Sequence, residues 1–67
     1  MRKYQSFIIS PEDIKVEASR YETPEGRRME QVTVVHLSTG IRASKESSRS
    51  QVEAYNAALM ELETLVV

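Results

Sequence analysis

The sequence contains no cysteine and no tryptophan. Without thiols there are no disulfides, no thiolate nucleophile and no cysteine-based zinc site. The one histidine, His36, is too few for a histidine-rich metal site, so no metal or cofactor is expected. Aromatic residues are limited to Tyr4, Phe7, Tyr21 and Tyr55, so the core must rest on Ile, Val, Leu, Met and Ala. The longest apolar runs are Ala57-Ala58-Leu59-Met60 and Leu65-Val66-Val67, far short of the roughly 20 residues of a membrane span. Met1-Arg2-Lys3-Tyr4-Gln5 is basic, but no apolar stretch of a secretory signal follows it. The expectation is a cytoplasmic protein with no membrane partner.

What is present fits one small domain over residues 1–67. A chain this short buries only about 60% of its unfolded surface, so a partner or a second copy is a natural source of stability. Nine basic residues stand against ten acidic ones, for a net charge of −1. A domain that binds nucleic acid through its overall field is usually more basic, so such a role here needs a local patch. Residues 1–49 hold all nine basic residues and seven acids, net +2, whereas residues 50–67 hold only Glu53, Glu61 and Glu63, net −3. Those three acids read as a solvated helix face that would repel RNA.

The order of patterns predicts an α+β fold, β-β-β-α: a small antiparallel three-stranded sheet over residues 14–45, followed by one C-terminal helix over 48–65. Residues 1–8 read as an N-terminal arm or short strand. Ser10-Pro11-Glu12-Asp13 is a turn, or one helical turn with Ser10 as cap. Ile14, Val16 and Ala18 alternate with Lys15, Glu17 and Ser19 over a first strand at 14–21. Residues 22–28 are a polar loop, and the β-branched run Val32-Thr33-Val34-Val35 marks a second strand at 31–37. Ser38-Thr39-Gly40 is a tight turn into a third strand at 41–45. Beyond Ser48 the period becomes helical, with Val52, Tyr55, Leu59, Leu62 and Val66 on one stripe widened by Ala54, Ala58 and Leu65. Ser48 and Gln51 match a capping box. One helix covers one sheet face, so the other must be polar or covered by a partner.

Three motifs, in order, resemble the catalytic domain of class I peptide chain release factors. Ile9-Ser10-Pro11-Glu12-Asp13-Ile14-Lys15-Val16 through Arg20 resembles its first strand. His36-Leu37-Ser38-Thr39-Gly40-Ile41 resembles its His-x-Pro-Thr-Gly-Ile hairpin. Ser48-Arg49-Ser50-Gln51 resembles its acidic-Arg-Ser-Gln helix start, with Ala58 and Leu62 on its helical core positions. The resemblance implies a release-factor-like fold, a structural role for His36 and contacts with the ribosome. It also exposes departures. The family's Gly-Gly-Gln loop is absent, and Gln5, Gln31 and Gln51 all lack a preceding glycine. After Gln51 the chain has Val52, Glu53, Ala54 and Tyr55 in place of the family's Asn and basic residues.

The sequence therefore points to a domain that is not an enzyme, a non-hydrolytic release-factor-like module binding ribosome or RNA and modulating translation. Its candidate phosphate- and RNA-contacting residues are Arg20, Arg27, Arg28, Arg49 and Gln51. Arg27 and Arg28 sit in a loop where they can meet phosphate. Arg49 stands oddly for a cation at a helix start and is expected to pair with Glu46 or to face RNA. Glu25, a lone carboxylate in an open loop, has nothing to orient a target. The second reading is a protein-interaction module, of the kind a phage or mobile element keeps as an accessory protein, with the scaffold retained and the ribosomal role lost. A homodimer through the open sheet face or the helix, using Tyr55, Leu62 and Val66, is the remaining partner expected.

Overall fold

The computed structural model describes residues 2–67; Met1 lies outside the described residues. A 3₁₀ turn at Pro11–Asp13 leads into β1 (Ile14–Glu22), β2 (Arg28–His36), β3 (Arg42–Ser47) and α1 (Gln51–Val66). The sheet is antiparallel in the order β1-β2-β3, so β1 and β3 are both edges. The β-β-β-α expectation holds. Residues 2–10 form an arm and no strand.

Register sorts the side chains onto two faces. Val16, Val34 and Ala43 share one row, and Ala18, Val32 and Lys45 the next, because residues directly opposite point the same way. Val32, Val34 and Ala43 are buried beneath Ala54, Ala58, Leu59 and Leu62 of α1. Of the helix's three alanines, Ala54 and Ala58 are buried within that core and Ala57 is exposed. Each fully buried Leu or Val contributes about 1.5–3 kcal/mol. Ile9 of the arm completes the core, a residue the helix and strand periods do not single out.

The helix packs on β2 and β3, not on the far edge strand. Every residue of β1 after Ile14 is consequently exposed, and Val16 retains 49% of its surface. The opposite face is a polar ladder: Ser19 Oγ donates to Gln31 Oε1 at 3.3 Å, Gln31 Nε2 to Ser44 Oγ at 3.4 Å, and Ser44 and Thr33 hydroxyls meet at 2.9 Å.

Several boundaries differ from the sequence expectation. β2 begins at Arg28, three residues early, because the hairpin ladder continues past the core to Glu22–Arg28. β3 runs to Ser47, and α1 starts at Gln51, not 48. Ser48 is not the cap: Ser50 is, its Oγ accepting from the Glu53 amide at 3.1 Å. Ser10 caps the 3₁₀ turn only by backbone position, with no side-chain bond. Leu65 is half-exposed and leaves the stripe, while Leu62 is wholly buried and so unavailable to a partner.

The helix exterior is also not simply solvated. Glu63 is buried, and its two oxygens accept from Tyr4 Oη at 2.6 Å and Ser6 Oγ at 2.7 Å. Asn56 holds the arm further up, accepting from the Tyr4 amide at 2.6 Å and donating to the Arg2 carbonyl at 2.9 Å. Glu61 pairs with Lys45 at 3.2 Å.

Candidate nucleic-acid interface

Chain direction gathers the five candidate residues. β1 ends, β2 begins, β3 ends and α1 begins at one end of the sheet. Arg20 therefore lies in the row Arg20–Glu30–Ser47, Arg28 two residues beyond it opposite Glu22, and Arg27 in the turn. Arg49 and Gln51 follow from Ser47 at the same end.

The turn at residues 23–27 is closed by its own bonds. The Thr23 amide donates to the Arg27 carbonyl at 2.8 Å, the Gly26 amide to the Thr23 carbonyl at 2.9 Å, and the Arg27 amide to Thr23 Oγ1 at 3.1 Å. Gly26 adopts φ 85°, which a residue with a Cβ resists. Arg27 and Arg28 are exposed on this frame. Glu25 is exposed in the same turn.

The other candidates are less alike. Arg20 is committed: its Nε lies 2.9 Å from Glu30 Oε1, although its own side chain is 76% exposed. Arg49 makes no ion pair among the described residues, so the expected Arg49–Glu46 pair is absent. Glu46 instead accepts from Tyr21 Oη across the sheet at 2.6 Å, which raises the Tyr21 pKa above its ordinary value of about 10. Arg49 is positioned by backbone: buried Ser47 Oγ accepts from the Arg49 amide at 3.0 Å and the Ser50 amide at 3.3 Å. Gln51 is exposed and lines a groove of about 220 Å³ with Lys3, Val16, Val32, Val52 and Tyr55. Lys3 Nζ lies 5.5 Å from the Tyr55 ring centroid.

At the opposite end, a cluster that joins the first two sequence motifs ties the turn elements together. Asp13 Oδ2 lies 2.9 Å from His36 Nε2 and accepts from Ser38 Oγ at 2.5 Å. His36 Nδ1 lies 2.8 Å from Thr39 Oγ1, which accepts from the Ile41 amide at 3.2 Å. An Nε2–H donating to Asp13 leaves Nδ1 to accept from the Thr39 hydroxyl. Ser, His and Asp meet here, but Ser38 is not wired as a nucleophile, and the hydroxyl on the imidazole is that of Thr39, 2.8 Å from Nδ1. Ser38 and His36 both bond the same carboxylate oxygen, so the imidazole has no hydroxyl to deprotonate at Ser38. Gly40, at φ 76°, lets its amide reach the His36 carbonyl at 2.7 Å. The imidazole of His36, a residue 8% exposed, fastens the β2–β3 connection to the start of β1. No sequence spacing links Asp13 to His36; only the β1–β2 register does.

The chain matches no model of a known protein family, no curated protein and no solved structure.

Proposed function

We propose that this chain is a release-factor-like domain without hydrolytic chemistry, which docks on ribosomal or other folded RNA and modulates translation. Docking uses the sheet end that carries Arg20, Arg27, Arg28, Arg49 and Gln51. The observation that supports it is positional: residues spread over 20–51 converge on one end, with Arg27, Arg28 and Arg49 exposed there. The three motifs of the resemblance lie on separate elements. The first lies on the turn and β1, the second on the β2–β3 connection, the third at the entry to α1.

The β1–β2 connection, residues 23–27, contains no Gly-Gly-Gln, so cleavage of peptidyl-tRNA is not part of the proposal. Glu22, Glu25 and Glu30 share this end and weaken its field. Binding then depends on short-range phosphate contacts rather than long-range steering. Three available cations give a log–log salt slope of about −2 to −3. Co-sedimentation with ribosomes over a salt series tests this. Pelleting at low salt that fades with that slope supports the reading. A protein that stays in the supernatant at low salt refutes it.

A protein-interaction module is the second reading. The exposed β1 edge beside the Val16–Tyr55 groove favours it.

A further inference from the structure

The backbone of β1 carries an unused set of hydrogen-bonding groups. At one end of the β1–β2 ladder the Leu37 amide donates to the Asp13 carbonyl at 2.9 Å, and at the other the Thr23 amide donates to the Arg27 carbonyl at 2.8 Å. Both pairs continue the register that sets Ile14 opposite His36 and Glu22 opposite Arg28. Antiparallel bonds alternate, so odd-numbered residues of β1 bond to β2. Ile14, Val16, Ala18, Arg20 and Glu22 therefore turn their N–H and C=O groups outward along the free edge. The same residues point their side chains to the face that α1 leaves uncovered next to β1.

Natural edges are usually blunted by charge, and Lys15, Glu17, Arg20 and Glu22 sit on this one. Their order, however, is self-complementary. An edge-to-edge dimer with a two-fold axis perpendicular to the sheet pairs even residues with even ones. Centred on Val16, that axis sets Val16 against Val16, Ile14 against Ala18, and Lys15 against Glu17 of the other copy, twice. Within residues 14–18 every apolar side chain then meets an apolar one, and both charges meet their opposite. Neighbouring registers lack this match. Centring on Glu17 sets Glu17 against itself, centring on Ala18 sets Val16 against Arg20 and Ile14 against Glu22, and centring on Ser19 sets Val16 against Glu22.

We propose that residues 14–18 are a self-recognition strand, pairing antiparallel with the same residues of a second copy to form a continuous six-stranded sheet. The dimer joins the exposed Val16 and Ala18 of the two copies into one central apolar strip, with both helices on the same side. This replaces the open sheet face and the helix stripe as the dimer surface, since the open face is a satisfied polar ladder and Leu62 is core. The strand lies at the end of the sheet opposite Arg27, Arg28 and Arg49, so the dimer does not rest on RNA binding. So short a strip buries less than a standard interface of about 1,600 Å², and the dimer is concentration-dependent.

Sedimentation velocity from micromolar to millimolar protein tests the pairing by charge reversal. Lys15→Glu or Glu17→Lys each sets like charge against like, and each variant is expected to lose dimerisation. Both positions are exposed, and a thermal melt confirms that each variant remains folded. The double variant Lys15→Glu/Glu17→Lys is expected to dimerise again. An equimolar mixture of the two single variants is expected to form a heterodimer that neither forms alone. Amide exchange adds a site readout: Ile14, Val16 and Ala18 slow on dimerisation. A wild-type protein monomeric at millimolar concentration overturns the proposal and leaves the edge to a strand of another protein. Single variants that dimerise like wild type also overturn it, as does protection at Arg42, Ser44 and Glu46, which moves the contact to β3.

Discussion

Among single residues, Glu63 carries the largest structural consequence that its identity conceals. It is a carboxylate inside a small core, tolerated because Tyr4 and Ser6 each give it a hydroxyl hydrogen bond. Ser6 Oγ in turn accepts from the Ile9 amide at 3.0 Å, so the carboxylate indirectly seats Ile9 in the core. Glu63→Ala leaves both hydroxyls without an acceptor and frees the arm. The expected cost is about 1–3 kcal/mol, read as a lowered Tm together with faster amide exchange at Tyr4 and Ile9. An unchanged Tm would mean the arm contributes nothing to stability. Tyr4 and Tyr21 give a second residue-level test. Hydrogen bonds to Glu63 and Glu46 respectively, reinforced by some burial and by the carboxylate charge, raise both phenol pKa values. A raised folded pKa means the native state holds the proton more tightly than the unfolded chain. The resulting stability is complete below a pH of about 10 and is lost as pH rises through the raised values. Phenolate absorbance should show both tyrosines titrating late, and Glu46→Gln should bring Tyr21 down. If Tyr21 titrates identically with and without Glu46, the cross-sheet bond is not formed in solution.

At the scale of elements, periodicity revealed the class of every segment, while polar boundaries hid their ends. The alternation at Ile14–Val16–Ala18 and the Val32–Val35 run mark strands because each carries a repeating side-chain pattern. The end of β3 and the start of α1 lie within Ser47-Ser48-Arg49-Ser50, where three serines offer capping hydroxyls. Ser48-x-x-Gln51 and Ser50-x-x-Glu53 both satisfy the capping pattern, and sequence alone cannot separate them. The structure separates them through Ser47, whose buried hydroxyl binds the next two free amides and pushes the cap to Ser50. Ser50→Ala should therefore cost about 1 kcal/mol, and Ser48→Ala nearly nothing, in parallel denaturant melts. The reverse ranking would restore the earlier start. The candidate site was legible as residue types, with Arg27 and Arg28 in a loop and Arg49 near a helix start. Their convergence was not, because it depends on strand register. Asp13 beside His36 and Ser38 was hidden for the same reason: its approach is set by the β1–β2 ladder and by no local spacing.

The whole molecule has two unlike ends and two edge strands, β1 and β3. The Asp13–His36 end is tied down by side-chain bonds. The opposite end presents arginines on a short closed turn and at the entry to α1. The net charge of −1 cannot supply nonspecific attraction, so any RNA affinity must depend on where the cations sit. That makes position, at constant charge, the decisive variable. Two double variants remove the same charge from different places: Arg27→Ala/Arg28→Ala at the turn, and Lys15→Ala/Arg42→Ala in the row Lys15–Val35–Arg42 at the opposite end. Ribosome co-sedimentation of both beside wild type at low salt is the most direct test. The turn variant is expected to stay in the supernatant while the control pellets like wild type. Equal pelleting of both variants, or no pelleting of wild type, would contradict the proposed docking.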